Sequence, residues 1–311
     1  MTPTLREGSE NYLVMRRALG FKLKRPARFI REFVAWLENR GTAQITTRLA
    51  LEGATEPPHL QKSEWAARLS AVRAFAQYWS AIDGTNEVPP HGLLPFRASR
   101  AVPYMYSEAE IQQLLQAARD MPALFKLQPP TYYCLLGLLT IAGLRISEAL
   151  NLELRDVNLA EGLLTIRSSK FGKSRLVPLH PTATEVLAEY VTQRNQVFPD
   201  RPNAAFFPSK TGAHLDAGQV RRVFYRLSRQ VGIRGASANR GPRLHDFRHR
   251  FAVQTLLRWY RTGEDVKRRL PILSTYLGHG HVTDTYWYLS NTPELMAAAG
   301  ECLENRWEAQ R

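Results

Sequence analysis

A segment near the C-terminal end, Tyr276-Leu277-Gly278-His279-Gly280-His281-Val282-Thr283-Asp284-Thr285-Tyr286-Trp287-Tyr288-Leu289, holds residue types that could open a phosphodiester through a tyrosyl oxygen. His279 follows a Leu-Gly break, and Tyr288 comes nine residues later. A phenol ionises near pKa ~10, so a tyrosine attacks well only where other groups stabilise the charge that develops. Planar arginine forks suit the non-bridging phosphate oxygens, and a mobile Lys or His must protonate the departing 5′-oxygen. The sequence offers these in three further places. Arg145 lies just past the Gly143 break, with Glu148 three residues on. Lys170 and Lys173 bracket Phe171-Gly172. His245, Arg248 and His249 stand at i, i+3 and i+4, so one helical face would present them together. By chemistry alone Tyr286 and Tyr288 are both plausible attackers. Enough fixed cations make a metal dispensable, and neither metal nor other cofactor is expected.

These groups need elements to hold them, and the pattern implies a mainly α chain with a small β-hairpin or sheet (α+β). Residues 1–83 read as helical. Phe29, Ile30, Phe33, Trp36 and Leu37 recur at helical spacing over 26–40 before Gly41, and Trp65, Leu69, Val72, Ala76 and Trp79 do so over 60–82. Their aromatic stripes are expected to be core. Residues 84–103 form a Pro-rich basic linker with Arg97 and Arg100. In the second domain, 104–292, Ser107 is a helix N-cap, and a buried helix over 131–142 is closed by Gly143. Strands at 163–168 and 175–179 make a hairpin through Lys170 to Lys173. Helices follow, and the tail, 293–311, places Leu295, Met296, Ala299, Leu303 and Trp307 at helical spacing.

Lys and Arg number 42 against 28 acids, for a net charge of +14, which points to a polyanionic partner: nucleic acid before a membrane surface. A hydrophobic content of 44% suits a folded soluble chain. No apolar run approaches the ~20 residues of a membrane span, and residues 1–10 lack the regions of a secretory leader. Two cysteines, Cys134 and Cys302, are too few for a disulfide framework and fit buried thiols in a reducing cytoplasm. Arg6, Arg16, Arg17, Lys22, Lys24, Arg25, Arg28 and Arg31 face only Glu7 and Glu10 in the first 31 residues. Such clustering favours phosphate contacts. A second basic run, Arg221, Arg222, Arg226, Arg229, Arg234, Arg240 and Arg243, is expected to follow a nucleic-acid backbone.

An Arg followed by an acid, a hairpin Lys, His-x-x-Arg, Leu-Gly-His, and a Tyr nine residues later resemble, in this order, the tyrosine recombinase (phage integrase, Xer-like) family over about 104–290. The resemblance implies that Arg145 and Arg248 grip the scissile phosphate, that His245 and His279 donate hydrogen bonds to it, and that Lys170 protonates the 5′-hydroxyl. Tyr288 rather than Tyr286 would form a 3′-phosphotyrosyl link, with Tyr286 left as packing. Glu148 and His249 would support the site, Lys173 would contact the DNA backbone, and His281 would be neutral surface. The N-terminal domain would be a DNA-clamping, core-binding domain. The implied partners are double-stranded DNA, further copies in dimers or tetramers on DNA, and other recombinases, at the nucleoid of the cytoplasm. The implied work is integration, excision or transposition of a mobile element, ahead of chromosome or plasmid dimer resolution. The tail would dock on a neighbouring protomer, although its pattern equally fits a helix packed on its own domain. A catalytically silent DNA-binding accessory protein, a metal-dependent relaxase using His279 and His281, and a type IB topoisomerase-like enzyme are the rival readings.

Overall fold

The computed structural model describes residues 3–56, 58–94, 102–167, 174–198, 204–238, 240–290 and 292–308. The chain divides into two compact units, Met1–Ala101 and Val102–Arg311.

The first unit packs α1 (Leu5–Ala18), α2 (Lys24–Asn39), α3 (Thr47–Thr55) and α4 (Lys62–Trp79). Helix α1 starts where the Thr4 side chain accepts from the Glu7 N–H and the Glu7 carboxylate returns the bond, satisfying donors that a helix start otherwise strands. Phe29, Ile30, Phe33 and Leu37 of α2 meet Leu69, Val72, Phe75, Ala76 and Trp79 of α4 in one core. Each large side chain so buried stabilises the unit by about 1.5–3 kcal/mol. Gly8 admits the Trp79 ring, since a Cβ there would lie 2.0 Å from it.

Packing changes the reading of the basic N-terminal cluster. Arg6 pairs with Glu38, and Arg31 pairs with Glu10 at 2.6 Å. Arg25 pairs with Glu64, and Arg28 approaches Glu64 at 3.4 Å and Glu32 at 3.6 Å. Arg16 lies 3.9 Å over the Phe21 ring. Except for Glu32, four residues on from Arg28 in α2, the acids that answer these arginines sit on other helices, beyond any short sequence window. Arg17, Lys22 and Lys24 have no ion pair among the described residues. The start of the expected linker also belongs to this unit. The Asn86 side chain accepts from the Ile45 N–H at 2.7 Å, and Arg73 donates to the carbonyls of Pro89 and Pro90, each at 2.7 Å. Arg97 and Arg100 lie outside the described residues.

The second unit opens with α5 (Glu108–Arg119), capped by Ser107 and Glu110, then α6 (Gln128–Ala142) and the short α7 (Ile146–Leu150). Strands β1 (Val157–Asn158), β2 (Leu163–Ile166) and β3 (Arg175–Pro178) form an antiparallel sheet in that order, with Leu164 opposite Val177 and Ile166 opposite Arg175. Lys170 and Lys173 fall between β2 and β3, outside the described residues. Next come α8 (Pro181–Val197), α9 (Ala217–Gln230), α10 (Leu244–Arg261), α11 (Val266–Leu277), α12 (Thr283–Ser290) and α13 (Pro293–Glu308). Helix α6 is apolar nearly all round because α5, α8 and α10 surround it. Cys134 on this helix is buried, and burial pushes its thiol up to about 12, so it is inert. The Cys302 side chain is outside the described ones. Helix α13 packs on α10 of its own chain through buried Leu295, while Met296 stays exposed.

Candidate active site

Two glycine turns build the site. Helix α6 stops at Gly143 in the left-handed region (φ 56°), where a Cβ would strike the Phe251 ring at 2.6 Å. Helix α11 stops at Gly278 (φ 67°), where a Cβ would lie 2.8 Å from an Arg175 nitrogen. The first turn delivers Arg145 as the N-cap of α7, and the second delivers His279, whose N–H bonds back to the Ser274 carbonyl at 3.0 Å.

Three guanidinium groups tie these turns together. Arg248 donates from Nη1 to the Gly143 carbonyl at 2.9 Å and from Nη2 to the Leu277 carbonyl at 2.5 Å. Arg145 Nη2 donates to the Gly278 carbonyl at 2.8 Å, and Arg175 Nε to the Tyr276 carbonyl at 2.6 Å. Between them Glu148, its side chain 3% exposed, accepts from Arg145 Nη1 at 2.7 Å and Arg175 Nη2 at 2.8 Å. Its second oxygen also takes the Arg145 backbone N–H at 3.0 Å. Burial alone would raise this carboxyl, but the Arg175 and Arg145 hydrogen bonds and charges outweigh it and hold it at about 2.

The aromatic members close over this cationic floor. Tyr288 is 3% exposed, and its hydroxyl lies under the charge of Arg248. Burial raises the phenol pKa, and the charge of Arg248, then that of Arg145, pulls it back. The His279 ring lies 6.0 Å from the Tyr288 ring, and the Thr285 hydroxyl is 2.7 Å from His279 Nδ1. Burial, then the charges of Arg248 and Arg145, lower His279 to about 4, so it is neutral at physiological pH. His245 is also lowered, by crowding protein first and Arg248 second. Its ring is nonetheless exposed, so water tempers that shift. Arg248, almost fully buried, is itself lowered to about 10 by burial, against the Tyr288 phenol that favours its charge. Cations outnumber carboxylates here, donors converge, and a phenol lies under the charge of a guanidinium: the arrangement suits a tetrahedral oxyanion.

The expected residues sort accordingly. Arg145, His245, Arg248, His279 and Tyr288 converge, with Glu148 beneath. His249 is buried among the rings of His245 at 4.6 Å, Trp287 at 4.9 Å and Tyr288 at 5.4 Å. Tyr286 is 51% exposed, so the packing role expected for it is not what the structure gives. His281 is exposed. Arg221 and Arg222 lie exposed on α9, as do Arg226 and Arg229. Arg234 is buried, stacked on Tyr225 at 4.0 Å and bonded to the Pro242 carbonyl, and so cannot lie along a nucleic-acid backbone. Arg243 holds Asp246 at 2.8 Å. Sequence reading missed Arg175 and Thr285. Nothing local in the sequence marks the first, because its partner Glu148 lies 27 positions away. Among the described residues no group of three or more His, Cys, Asp or Glu is arranged to hold a metal ion, and no helix is long and apolar enough to cross a membrane.

Comparison with known proteins adds an independent line. The phage integrase family model matches residues 105–294. A Sinorhizobium fredii protein bearing an integrase/recombinase name is 52% identical over 309 residues, covering 98% of each chain. The tyrosine recombinase XerD of Pseudomonas aeruginosa is 28% identical over 83% of each chain. Among solved structures, the Tn1549 transposon integrase in complex with transposon right end DNA superposes with a TM-score of 0.68 at 16% identity, covering 97% of this chain and 99% of that one.

Proposed function

Because this chain belongs to the phage integrase family, the tyrosine recombinases, we propose that it moves a mobile element by cutting and rejoining DNA at specific sites with Tyr288 as nucleophile. The observation that carries this reading is the buried Tyr288 ring 6.0 Å from the His279 ring, with its phenol under the charges of Arg248 and Arg145. The phenol oxygen attacks phosphorus, and its proton passes to His245 or water. Arg145 and Arg248 hold the non-bridging oxygens, and His245 and His279 donate to them. Lys170 gives a proton to the departing 5′-oxygen. The products are a 3′-phosphotyrosyl bond and a free 5′-hydroxyl, and a 5′-hydroxyl from a second strand reverses the step with no external energy source. Glu148 orients Arg145 from below, and His249 supports the ring cluster.

At 3% exposure the Tyr288 phenol cannot reach a phosphate, so DNA binding must uncover it. Its departure opens Arg248 to a phosphate oxygen. Residues 1–83 clamp the duplex through Arg17, Lys22 and Lys24, helped by Arg16, Arg25, Arg28, Arg97 and Arg100. Residues 104–292 carry the chemistry, with Arg221, Arg222, Arg243 and Lys173 along the backbone. Residues 293–311 link copies into dimers and tetramers on DNA, which the protein meets at the cytoplasmic nucleoid.

Covalent trapping tests the nucleophile and identifies the DNA target together. Cells carrying the native DNA are lysed in hot denaturant, and DNA still attached to the captured protein is sequenced. Attached DNA should persist in wild type and Tyr286→Phe and vanish in Tyr288→Phe. Loss in Tyr286→Phe alone would move the nucleophile, and no attached DNA in wild type would leave an accessory role.

A further inference from the structure

Thr285 takes no part in the chemistry above, yet its hydroxyl sits 2.7 Å from His279 Nδ1 on a fully buried residue. Its backbone N–H is already bonded to the Val282 carbonyl at 2.8 Å. Among the described residues, Nδ1 is the single hydrogen-bond neighbour of that hydroxyl. A hydroxyl can donate or accept. Were Nδ1 the donor, the Thr285 hydroxyl proton would be buried with no acceptor, which is the costlier arrangement. With the hydroxyl donating, Nδ1 carries the lone pair and the ring proton sits on Nε2.

The placement of that proton matters because the ring is neutral. The charges of Arg248, Arg145 and Arg175 act on it, opposed by Asp284, and burial adds to the arginines. A neutral imidazole has one N–H to offer, whereas an imidazolium would have two. Thr285 is three residues before Tyr288 on α12, so the helix that carries the nucleophile also carries the group against the histidine. We propose that Thr285 is a positioning residue that fixes His279 as the Nε2–H tautomer, so that the neutral ring offers a donor, and not a lone pair, to a phosphate oxygen. The proposal rests on the reading that His279 serves the scissile phosphate.

The tautomer can be measured without DNA. The full chain, labelled with 15N-histidine, is observed at pH 7, and the His279 signals are assigned by their loss in His279→Asn. Wild type should show a protonated Nε2 and an unprotonated Nδ1. Thr285→Val, which keeps the shape and removes the hydroxyl, should show a tautomer mixture, and Thr285→Ser should restore the Nε2–H form. In covalent trapping, Thr285→Val should lose about tenfold to a hundredfold of attached DNA, with Thr285→Ser close to wild type. A protonated Nδ1 in wild type overturns the proposal even if the valine variant does not fold, as does an unchanged tautomer in Thr285→Val. A tautomer that shifts while trapping stays at wild-type level upholds the Thr285 assignment and overturns instead the part given to His279.

Discussion

Replacing Arg175 by methionine keeps most of the side chain's bulk and removes one of two cations on a carboxylate that has almost no access to water. In the folded chain Glu148 is held at about 2 against an ordinary 4.5, despite a burial that opposes it. At ~1.36 kcal/mol per pKa unit, that preference for the charged form contributes about 3 kcal/mol of stability near neutral pH. The same order, about 3–5 kcal/mol, is the usual cost of removing one partner from a buried pair. For a unit the size of Val102–Arg311, about 3 kcal/mol lowers Tm by roughly 6–12 °C. The pH dependence carries a sign. A carboxyl whose folded pKa is depressed gives stability that is full above about 4.5 and lost as pH falls through about 2. In Arg175→Met, burial acts with less opposition and the carboxyl protonates at higher pH, which relieves the stranded charge. The deficit against wild type should therefore be largest at pH 7 and narrow towards pH 4. Urea unfolding of both proteins across that range measures it. A deficit below about 1 kcal/mol, or one that does not change with pH, would refute the argument that Arg175 and Glu148 form a buried pair that depends on charge.

Two further outcomes follow from the turns and the tail. Gly278→Ala combines a left-handed backbone with a Cβ 2.8 Å from Arg175, so it should lower stability by about 1–2 kcal/mol and reduce covalent trapping, because His279 and the Arg145-bound carbonyl shift together. Melting curves and trapped DNA report the two effects separately. Removing residues 293–311 exposes the α10 surface that Leu295 covers; it should leave single-site DNA binding measurable and impair pairing of two DNA sites, as seen in gel-shift and bridging assays. Unchanged pairing would confine the tail to its own domain.

The chemistry of the site was legible where it is local. Arg145 follows a glycine that must end a helix, and His245, Arg248 and His249 share a helical face by spacing alone. Groups whose meaning depends on distant partners were not legible. Arg175 looks like any strand arginine until β3 brings it to Glu148, 27 positions away. Arg25 and Arg28 look free for phosphate until α4 supplies Glu64, 39 and 36 positions on. Arg234 gave no hint that it would be buried over Tyr225. Pro89 and Pro90 signal irregular backbone, and irregular backbone can still be tightly bonded, as Arg73 shows. Tyr286 failed differently: on a helix as short as α12, apolar spacing cannot say which of two neighbouring aromatic residues faces inward.

The arginines of the site grip main-chain carbonyls at Gly143, Tyr276, Leu277 and Gly278. A carbonyl is common to every residue type, so these contacts constrain the length of the two turns far more than the side chains at 276 and 277. Insertion or deletion of one residue in either turn shifts the next carbonyl by about 3.8 Å, more than any hydrogen bond tolerates. A scan of single-residue insertions should thus be prohibitive throughout both turns, whereas substitutions should be costly only where packing or backbone demands it, at Gly143, Leu277 and Gly278.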